Sequence, residues 1–265
     1  MSEEKKRKPP RRDDRARDQE ADGLIEGRNA VIEALRSGTA IDKIYIAKGD
    51  TDAALGHIAA KGKAAGAVVV NVDRRKLDFM SRNHSHQGVI AISAVREYAE
   101  VEDLLQRARE RGEQPLLVVC DELSDPHNLG AVIRTAECAG AHGVIIPKRR
   151  SAGLTAVVAK TSAGAVAHLP VARVPNLTQT LQDLKKQGIW VFGTAADGET
   201  ALYDADLKGP AALVIGSEGS GMSRLVAQQC DFRLSIPMRG RLNSLNASAA
   251  AAIVLYEAVR QRLGR

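Results

Sequence analysis

The chain has 265 residues, of which 44% are hydrophobic and 26% are charged, a composition typical of a soluble protein with enough length for two modest domains. Only 3% of the residues are aromatic, which disfavours nucleic-acid recognition dominated by stacking on aromatic side chains. The net charge of +6 favours a polyanionic partner. Because the sequence has no apolar stretch of about 18 residues and no recognisable signal peptide before Gly23, we expect a cytoplasmic protein that does not associate with a membrane.

Residues 1–22 contain the run KKRKPPRR, which looks like a basic arm. This segment carries eight Lys and Arg against seven Asp and Glu, a net charge of +1, so that about +5 of the total belongs to the rest of the chain. Its few apolar residues cannot repay the entropy of ordering, and we predict a disordered tail. The composition fits a solubilising tail and a non-specific RNA tether equally well.

The first predicted domain, residues 23–96, alternates helices and strands within about 75 residues. A helix in GRNAVIEALRSG is indicated by an apolar face and a terminal glycine: Val31, Ile32, Leu35 and Gly38. Strands are predicted in DKIYIAKG, AVVVNV and GVIAISA, and further helices in TDAALGHIAAKGKAAG and RRKLDF. The unit is therefore a small α/β domain.

Residues 97–115 hold a charged helix and no strand, and we place a linker there. The second predicted domain, residues 116–265, has strands in LLVVCDE, GVIIP, IWVFGT, AALVIG and FRLSIP, and one near 167–174. Helices are predicted at about Asn128 to Gly140, near 154–164, in LTQTLQDLKKQG, near 222–229, and from Asn246 onward. Near-continuous apolar strands alternating with helices indicate an α/β fold with a parallel sheet covered on both faces.

The cysteines and histidines do not form a metal-binding pattern. Cys120, Cys138 and Cys230 are odd in number, lack a CxxC spacing and lie in apolar or helical contexts, so we expect reduced, buried thiols. His84 and His86 lie in the loop SRNHSHQ, where no Cys or further His lies at ligand spacing. We interpret them as polar loop residues and predict no metal site.

Four strands of the second domain end in loops of unusual composition. LSDPHNLG, SEGSGM and MRGRLNSLNAS follow LLVVCDE, AALVIG and FRLSIP, and IWVFGT ends at Thr194. Ligands of open parallel sheets bind beyond the carboxyl ends of the strands. We therefore expect these loops to form one site, with freed backbone groups and with glycines where a ligand approaches closely.

Each loop also has a simpler interpretation. HNLG is typical of a helix N-terminus capped by Asn128 and eased by Gly130, Arg134 is typical of an exposed helix position, and His127 is typical of a capping or loop residue. SEGSGM resembles a phosphate loop, but it lacks the Lys-Ser/Thr ending of a P-loop, and no GxGxxG opens the first strand–helix turn. A conventional dinucleotide site and nucleotide hydrolysis are therefore disfavoured.

In combination, three motifs carry a resemblance to a known family: Asn128-x-Gly130-x-x-x-Arg134, Gly216-x-Glu218-x-x-Gly221, and IPM followed by SLNAS at residues 244–248. In this order they resemble the SpoU (TrmH) family of RNA 2′-O-ribose methyltransferases. GRNAVIEAL, KIYIAKG and HQGVIA are similar to the amino-terminal substrate-binding domain of its ribosomal RNA branch, the bacterial large-subunit guanosine 2′-O-methyltransferases. The resemblance implies a SPOUT fold, an α/β fold with a parallel sheet and a carboxyl-terminal trefoil knot, plus a small α/β amino-terminal RNA-binding domain.

The resemblance also implies a cofactor and a set of site residues. The cofactor is S-adenosylmethionine, and the residues implied around it are Thr194, Gly216, Gly221, Ile236, Met238 and Leu245. The residues implied for catalysis are Asn128, Arg134, Glu218, Ser244 and Asn246. The final helix is expected to pack in the crowded knot region, which favours small side chains at Ala247 and at 249–252.

The acceptor that the resemblance implies, a ribose 2′-hydroxyl, is a very weak acid, so transfer needs alignment and help with a proton. Accounts of the family give this proton to Arg134, although a guanidinium stays protonated to above about pH 12. Fixing the adjacent phosphate and stabilising the developing oxyanion is the simpler role for Arg134. Asn128 would orient Arg134 or the ribose, and Ser244 and Asn246 would hold a phosphate or Arg134. Glu218 would face the cationic sulfonium or hold loop geometry.

By the same resemblance, the partners are a structured segment of large-subunit ribosomal RNA and a second copy of the chain, paired through the knot domain. Two alternatives stay open. One is a transfer RNA 2′-O-ribose methyltransferase of the same family. The other is an RNA-binding or ribosome-assembly factor that has lost catalysis.

Overall fold

The computed structural model describes residues 23–50, 52–83 and 85–264. The predicted tail, residues 1–22, and His84 lie outside the described residues. The chain divides into two compact units, with the division between Val95 and Arg96.

The first unit contains a mixed four-stranded sheet. Its elements are β1 (Leu24–Glu26), α1 (Arg28–Arg36), β2 (Ile41–Ala47), α2 (Ala53–Ala64), β3 (Val68–Val72), α3 (Arg74–Met80) and β4 (Val89–Ser93). The strand order is β1-β4-β2-β3, with β4 antiparallel to β1 and β2, and β2 parallel to β3. Short β1 was not predicted. One sheet face buries Val31, Ile44 and Ile58, while the short helix α3 places Leu77 against the other.

The second unit is built on a seven-stranded sheet. Its strands are β5 (Leu116–Cys120), β6 (Gly143–Pro147), β7 (Val171–Val174), β8 (Trp190–Thr194), β9 (Thr200–Ala201), β10 (Ala211–Ile215) and β11 (Phe232–Ser235). The strand order is β7-β6-β5-β10-β8-β11-β9, and every pairing is parallel. The predicted α/β class with a parallel sheet is confirmed. The trefoil knot stays a prediction.

The helices of the second unit are α4 (Val101–Arg111), α5 (Pro126–Cys138), α6 (Ala156–Thr161), α7 (Leu177–Lys186), α8 (Arg224–Ala227) and α9 (Ala247–Arg262). Several are shorter than predicted. The helix predicted near 222–229 has only four residues, because Ser223 is an extended N-cap and the chain turns after Gln228. The helix predicted near 154–164 ends at Thr161 and is followed by a 3₁₀ turn at Ala165–Ala167.

Helix α4 lies in the segment predicted as a linker, and it packs on the second sheet. Its buried side chains Leu104 and Leu105 belong to the core that includes Leu117 and Ile145. A Cβ on Gly143 of β6 would lie 2.2 Å from Leu104 Cγ, so glycine at this position permits the close approach of the helix. The charged residues of α4 therefore cover one buried stripe.

The described residues show neither a membrane span nor a metal centre. Among them, no helix is long and apolar enough to cross a membrane. No group of three or more His, Cys, Asp and Glu within the same part of the chain could hold a metal ion. His86 is a buried residue, whereas we interpreted it as part of a polar loop, because Nδ1 accepts from the Gly88 amide at 3.0 Å and Nε2 lies 2.9 Å from Asp78.

Candidate active site

A cavity of about 480 Å³ lies at the carboxyl edge of the second sheet. Strands β8, β10 and β11 end there, and the loops that follow them supply its walls. All six residues predicted around the cofactor line this cavity, together with two of the predicted catalytic residues: Thr194, Gly216, Gly221, Ile236, Met238, Leu245, Glu218 and Ser244. The volume lies in the range of about 300–1,000 Å³ typical of small-molecule sites.

The loop after β11 leaves its backbone available to a ligand. Main-chain N–H and C=O groups of residues 237–245 make no hydrogen bond with any residue that the structure describes. Met238 and Leu245 from this loop line the cavity while remaining 38% exposed each. Free backbone donors and acceptors beside apolar side chains can bind the polar edge and the flat face of an adenine ring.

The loop between Gly216 and Met222 folds back on itself. Ser217 and Gly221 exchange two backbone hydrogen bonds of 3.0 Å. A Cβ on Gly216 would lie 2.3 Å from the Gly221 carbonyl carbon, and Gly221 has a φ of +67°. We expected Gly216 to admit a ligand, but its glycine is required by the backbone of its own loop. The tight loop in turn projects Glu218.

Three of the predicted catalytic residues form a hydrogen-bonded triangle, which we call the amide–carboxylate triangle: Asn128, Glu218 and Asn246. Asn128 Nδ2 donates to Glu218 Oε1 at 3.1 Å, and Asn246 Nδ2 donates to Asn128 Oδ1 at 3.0 Å. Asn246 Nδ2 also contacts Glu218 Oε1. The triangle joins all three sequence motifs, which are 90 to 118 residues apart in the chain. Glu218 Oε2 makes no hydrogen bond with the described residues.

Asn246 has a second role as the N-cap of α9. Its Oδ1 accepts from the Ser248 amide at 3.0 Å, the Ser248 hydroxyl at 2.6 Å and the Ala249 amide at 3.3 Å. The predicted start of the final helix is therefore confirmed. The expectation that crowding explains its small residues holds at Ala247 and Ala251, which are buried, but it is wrong at Ala249, which is exposed.

At the first motif, the simpler capping interpretation is wrong. The N-cap of α5 is Asp125, whose Oδ1 accepts from the His127 amide at 2.9 Å. His127 is thus a residue of the first helical turn and not a cap or loop residue. Asn128 is only 7% exposed, and a Cβ on Gly130 would lie 1.9 Å from Thr161 Oγ1. The helix starts two residues earlier than predicted because Asp–Pro is a strong start signal.

Arg134 and Ser244 lie outside the amide–carboxylate triangle. Arg134 is exposed on α5, does not line the cavity, and makes no hydrogen bond or ion pair with any residue that the structure describes. Ser244 lines the cavity and is exposed. Arg134 is therefore available to a substrate or to a second chain.

Sequence reasoning missed two groups at this edge. Asp121, 3% exposed, follows β5 and accepts from the Ser223 amide at 2.6 Å, which fixes the end of the Gly216 loop. Asp197 follows β8, lines the cavity, and lies 3.6 Å from the Arg233 guanidinium. Both are carboxylates just after a strand end, and that position is the signal that could have identified them.

Thr194 and the thiols have structural roles. Thr194 Oγ1 donates to the Val214 carbonyl at 3.0 Å across the β8–β10 pair. Burial raises the pKa of Cys120 and of Cys230 to about 12, so neither is a thiolate near neutral pH. All three cysteines are free, but Cys138 is exposed at the end of α5, so its predicted burial is wrong.

Comparisons with known proteins identify the family. A family model described as the SpoU rRNA methylase family matches residues 115–256, and one described as RNA 2′-O ribose methyltransferase substrate binding matches residues 24–99. A TrmH-family tRNA/rRNA methyltransferase of Bacillus subtilis (strain 168) is 48% identical over 238 residues, covering 90% of this chain and 95% of the relative. The chain belongs to the SpoU (TrmH) family of RNA methyltransferases.

Two solved structures show similarity of different extent. An AdoMet-bound rRNA methyltransferase from Sinorhizobium meliloti has a TM-score of 0.55 and 29% identity, and the match covers 91% of this chain and 87% of that one. A TrmH/SpoU tRNA-modifying enzyme from A. aeolicus has a TM-score of 0.52 and 29% identity, but the match covers 62% of this chain and 84% of that one.

Proposed function

We propose that this enzyme transfers the methyl group of S-adenosylmethionine to the 2′-hydroxyl of a guanosine ribose in large-subunit ribosomal RNA. The observation that carries the proposal is the amide–carboxylate triangle, which brings all three family motifs together beside a ligand-sized cavity. The match of residues 24–99 to a 2′-O ribose methyltransferase substrate-binding model supports a ribose acceptor.

The cavity fits S-adenosylmethionine by its chemistry. Unpaired backbone groups of residues 237–245 suit the adenine edge, and Ile236, Met238 and Leu245 offer apolar walls. Glu218 and Asp197 add carboxylates to the lining, which favours a cationic ligand. When bound, the cofactor supplies an electrophilic methyl group on a sulfonium.

The triangle orients the acceptor side of the site. Asn128 and Asn246 both donate to Glu218 Oε1, which fixes the carboxylate and leaves Oε2 available to a substrate hydroxyl. Arg134 binds the phosphate next to the reacting ribose with its planar fork and stabilises the charge that develops on the 2′-oxygen. The proton leaves through Glu218 Oε2 or through water, since a guanidinium is a poor base at neutral pH.

A second copy of the chain completes the enzyme in this proposal. Helix α9 packs against α5 and presents an unburied, largely apolar stripe: Ala249, Ala252, Ile253, Tyr256 and Leu263. Tyr256 is 50% exposed and Leu263 is 64% exposed. Arg134, on neighbouring α5, lies outside its own chain's cavity, so pairing through these helices gives it a route to the partner's site. Sedimentation equilibrium at micromolar protein should give twice 28.3 kDa, and a monomer at all concentrations argues against this arrangement.

Ribosomal RNA is favoured over transfer RNA by the first unit of the chain. The match to the rRNA methyltransferase spans 91% of this chain, whereas the match to the tRNA-modifying enzyme spans 62%. An additional α/β unit gives the enzyme a means of selecting structured RNA by shape and by phosphate contacts.

The test is to map ribose methylation in ribosomal and transfer RNA from cells with and without the gene, and then to repeat the reaction with purified protein. We expect one guanosine of large-subunit ribosomal RNA to lose its 2′-O-methyl group in the deletion and to regain it in vitro. Loss confined to transfer RNA supports the alternative substrate. No change in either RNA, with donor binding absent, supports a non-catalytic assembly factor.

A further inference from the structure

Unpaired cations border the cofactor cavity on the side of β6. This strand is followed by Lys148, Arg149 and Arg150. Arg150 is committed to Glu122, which follows β5: Arg150 Nη1 donates to Glu122 Oε1 at 2.9 Å, and both residues have positive φ, +58° and +55°. Two adjacent non-glycine residues in left-handed backbone conformations show that the loops after β5 and β6 are closely held together.

Lys148 and Arg149 are not committed in this way. Their side chains make no hydrogen bond or ion pair with any residue in the described ranges. Lys148 is half-buried, and its backbone amide donates to the Val174 carbonyl at 2.7 Å, which fixes its position. Partial burial and the nearby guanidinium groups of Arg173 and Arg149 lower the pKa of Lys148. An anion at this position would relieve the repulsion among these like charges.

A matching pair borders the cavity on the side of β11. Arg239 and Arg241 lie in the loop whose neighbours Met238 and Asn243 line the cavity. Both arginines are exposed, and within the described part of the chain neither makes a hydrogen bond or ion pair. Leu242 between them and Asn243 is 77% exposed, so this loop presents its side chains outward.

The sheet order sets the separation of the two pairs. In the order β6-β5-β10-β8-β11, four strand spacings of about 4.8 Å separate β6 from β11, a span of about 19 Å. The amide–carboxylate triangle and the cavity lie between them, at β5, β10 and β8. One strand of a nucleic-acid helix carries a phosphate per roughly 3.4 Å of axis, so this span accommodates several phosphates.

We propose that Lys148 and Arg149 on one side, and Arg239 and Arg241 on the other, bind the RNA backbone on the two flanks of the target nucleotide. We call these residues the flanking cations. They fix the direction in which the RNA strand crosses the carboxyl edge, so that the target ribose lies over the cavity. This inference rests on the proposed function, since it takes RNA as the substrate of the same site.

The experiment compares two double variants, Lys148→Ala/Arg149→Ala and Arg239→Ala/Arg241→Ala, with a matched control, Lys186→Ala/Lys208→Ala. The control removes two exposed positive charges near the amino ends of β8 and β10, opposite the cavity. Binding to an unmethylated large-subunit ribosomal RNA transcript is measured without donor at several salt concentrations. Methylation of the same transcript and S-adenosylmethionine affinity are measured in parallel.

Each flanking variant is expected to weaken RNA binding at least tenfold and to reduce the salt dependence of log K by roughly 0.7–0.9 per lost phosphate contact. The control is expected to keep the wild-type slope. Lys148→Ala/Arg149→Ala should also keep wild-type donor affinity, which shows that its fold is intact. If either flanking variant binds RNA with the affinity and salt slope of the control, the inference is wrong.

Failure of the proposed function is distinguishable from this outcome. If the wild-type protein methylates neither ribosomal nor transfer RNA, the proposed function fails irrespective of the variants. If the wild-type protein methylates RNA and the flanking variants match the control, only the assignment of these four residues fails.

Discussion

The two sheets of this protein differ in strand direction, and the difference decides where chemistry can occur. In the first unit, β4 runs antiparallel to β1 and β2, so strand ends of both polarities meet at each edge. In the second unit all seven strands are parallel, so the loops after β5, β8, β10 and β11 meet at one edge. Residues up to 118 positions apart in the chain are thereby within hydrogen-bonding distance. Only the second sheet concentrates freed backbone groups and polar side chains in one place.

The two units also differ in the type of core that supports them. Every residue of β5 and β10 is buried, as expected for central strands covered by helices on both faces. In the first unit, β3 is largely half-buried, because only the short helix α3 covers that face of the sheet. The second unit therefore provides a rigid frame for catalysis, and we assign RNA docking to the first.

The largest expected effect separates the two cores. Ile44→Ala in the first unit and Leu117→Ala in the second each truncate a fully buried side chain, and each should cost about 2–5 kcal/mol in the free energy of unfolding. We expect Ile44→Ala to impair RNA binding while donor affinity at low temperature stays at the wild-type value. Leu117→Ala should lower both. Urea denaturation and donor titration check this, and loss of donor binding in Ile44→Ala contradicts the division of roles.

The next effect isolates Arg134 on the parallel sheet's edge. Arg134→Ala should reduce methyl transfer by about 10²–10³-fold or more, because it removes a transition-state contact. Its folding stability and donor affinity should not change, since the side chain makes no contact with the described residues. Arg134→Lys keeps the charge but loses the planar fork, and little rescue is expected. A near wild-type rate in Arg134→Ala, or loss of donor binding, would show that the first motif does not serve the acceptor.

A smaller effect tests the amide–carboxylate triangle. Asn246→Asp retains the oxygen that caps α9 but replaces the Nδ2 donor with a carboxylate facing Glu218. We expect the melting temperature to change less than in Asn246→Ala, which loses a cap worth about 1 kcal/mol. Methyl transfer should fall about tenfold or more, by the loss of roughly 1–3 kcal/mol from an unpaired polar group.

The matched variant for this test is Asn246→Asp combined with Glu218→Gln, which exchanges the amide and the carboxylate. If the triangle serves to position the loops, the double variant should recover part of the lost rate. If the charge of Glu218 itself is needed, the double variant should be as inactive as Asn246→Asp, while donor affinity and stability still recover.

The smallest effect concerns the amino edge of the same sheet. His142 is fully buried; its Nδ1 accepts from the Leu116 amide and its Nε2 pairs with Glu113. Burial lowers the pKa of His142, more than hydrogen bonding to Glu113 raises it. The unfolded chain therefore binds more protons below about pH 6.5, and stability should fall as the pH drops through that value by at most about 1.4 kcal/mol per pH unit. His142→Asn should show a shallower slope in urea denaturation between pH 7 and 5.

Much of this architecture could be predicted from sequence periodicity. The strand runs that end at Thr194 and Ile215 are short, apolar and bounded by turn residues, and they were identified correctly. Asn246 was expected at the start of the last helix because a polar entrance before a small apolar run is a capping signal. The start of α5 was misplaced because Asn128 competes with Asp125 as a cap, and only tertiary contacts show that Asn128 faces Glu218.

Other features could not be predicted from sequence for physical reasons. Glycine in a loop permits both ligand approach and close backbone packing, and the periodicity does not distinguish them, so the role of Gly216 was wrong. The burial of Asp121 and the exposure of Cys138 depend on which neighbouring strand or helix covers them. Resemblance to a family supplied the set of site residues, whereas the hydrogen bonds within that set are a property of the fold.

The central claim is that the carboxyl edge of the parallel sheet binds S-adenosylmethionine. Calorimetric titration of the wild-type chain and of Leu245→Arg with S-adenosylmethionine tests it most directly, with ATP as the competing ligand. Leu245 lines the cavity and is 38% exposed, so a cation there should repel the sulfonium without disrupting the core. We predict saturable binding to the wild-type chain, no competition by ATP, and at least tenfold weaker binding to Leu245→Arg. Saturable ATP binding with no response to the methyl donor, or donor binding that is unchanged in Leu245→Arg, would contradict the account.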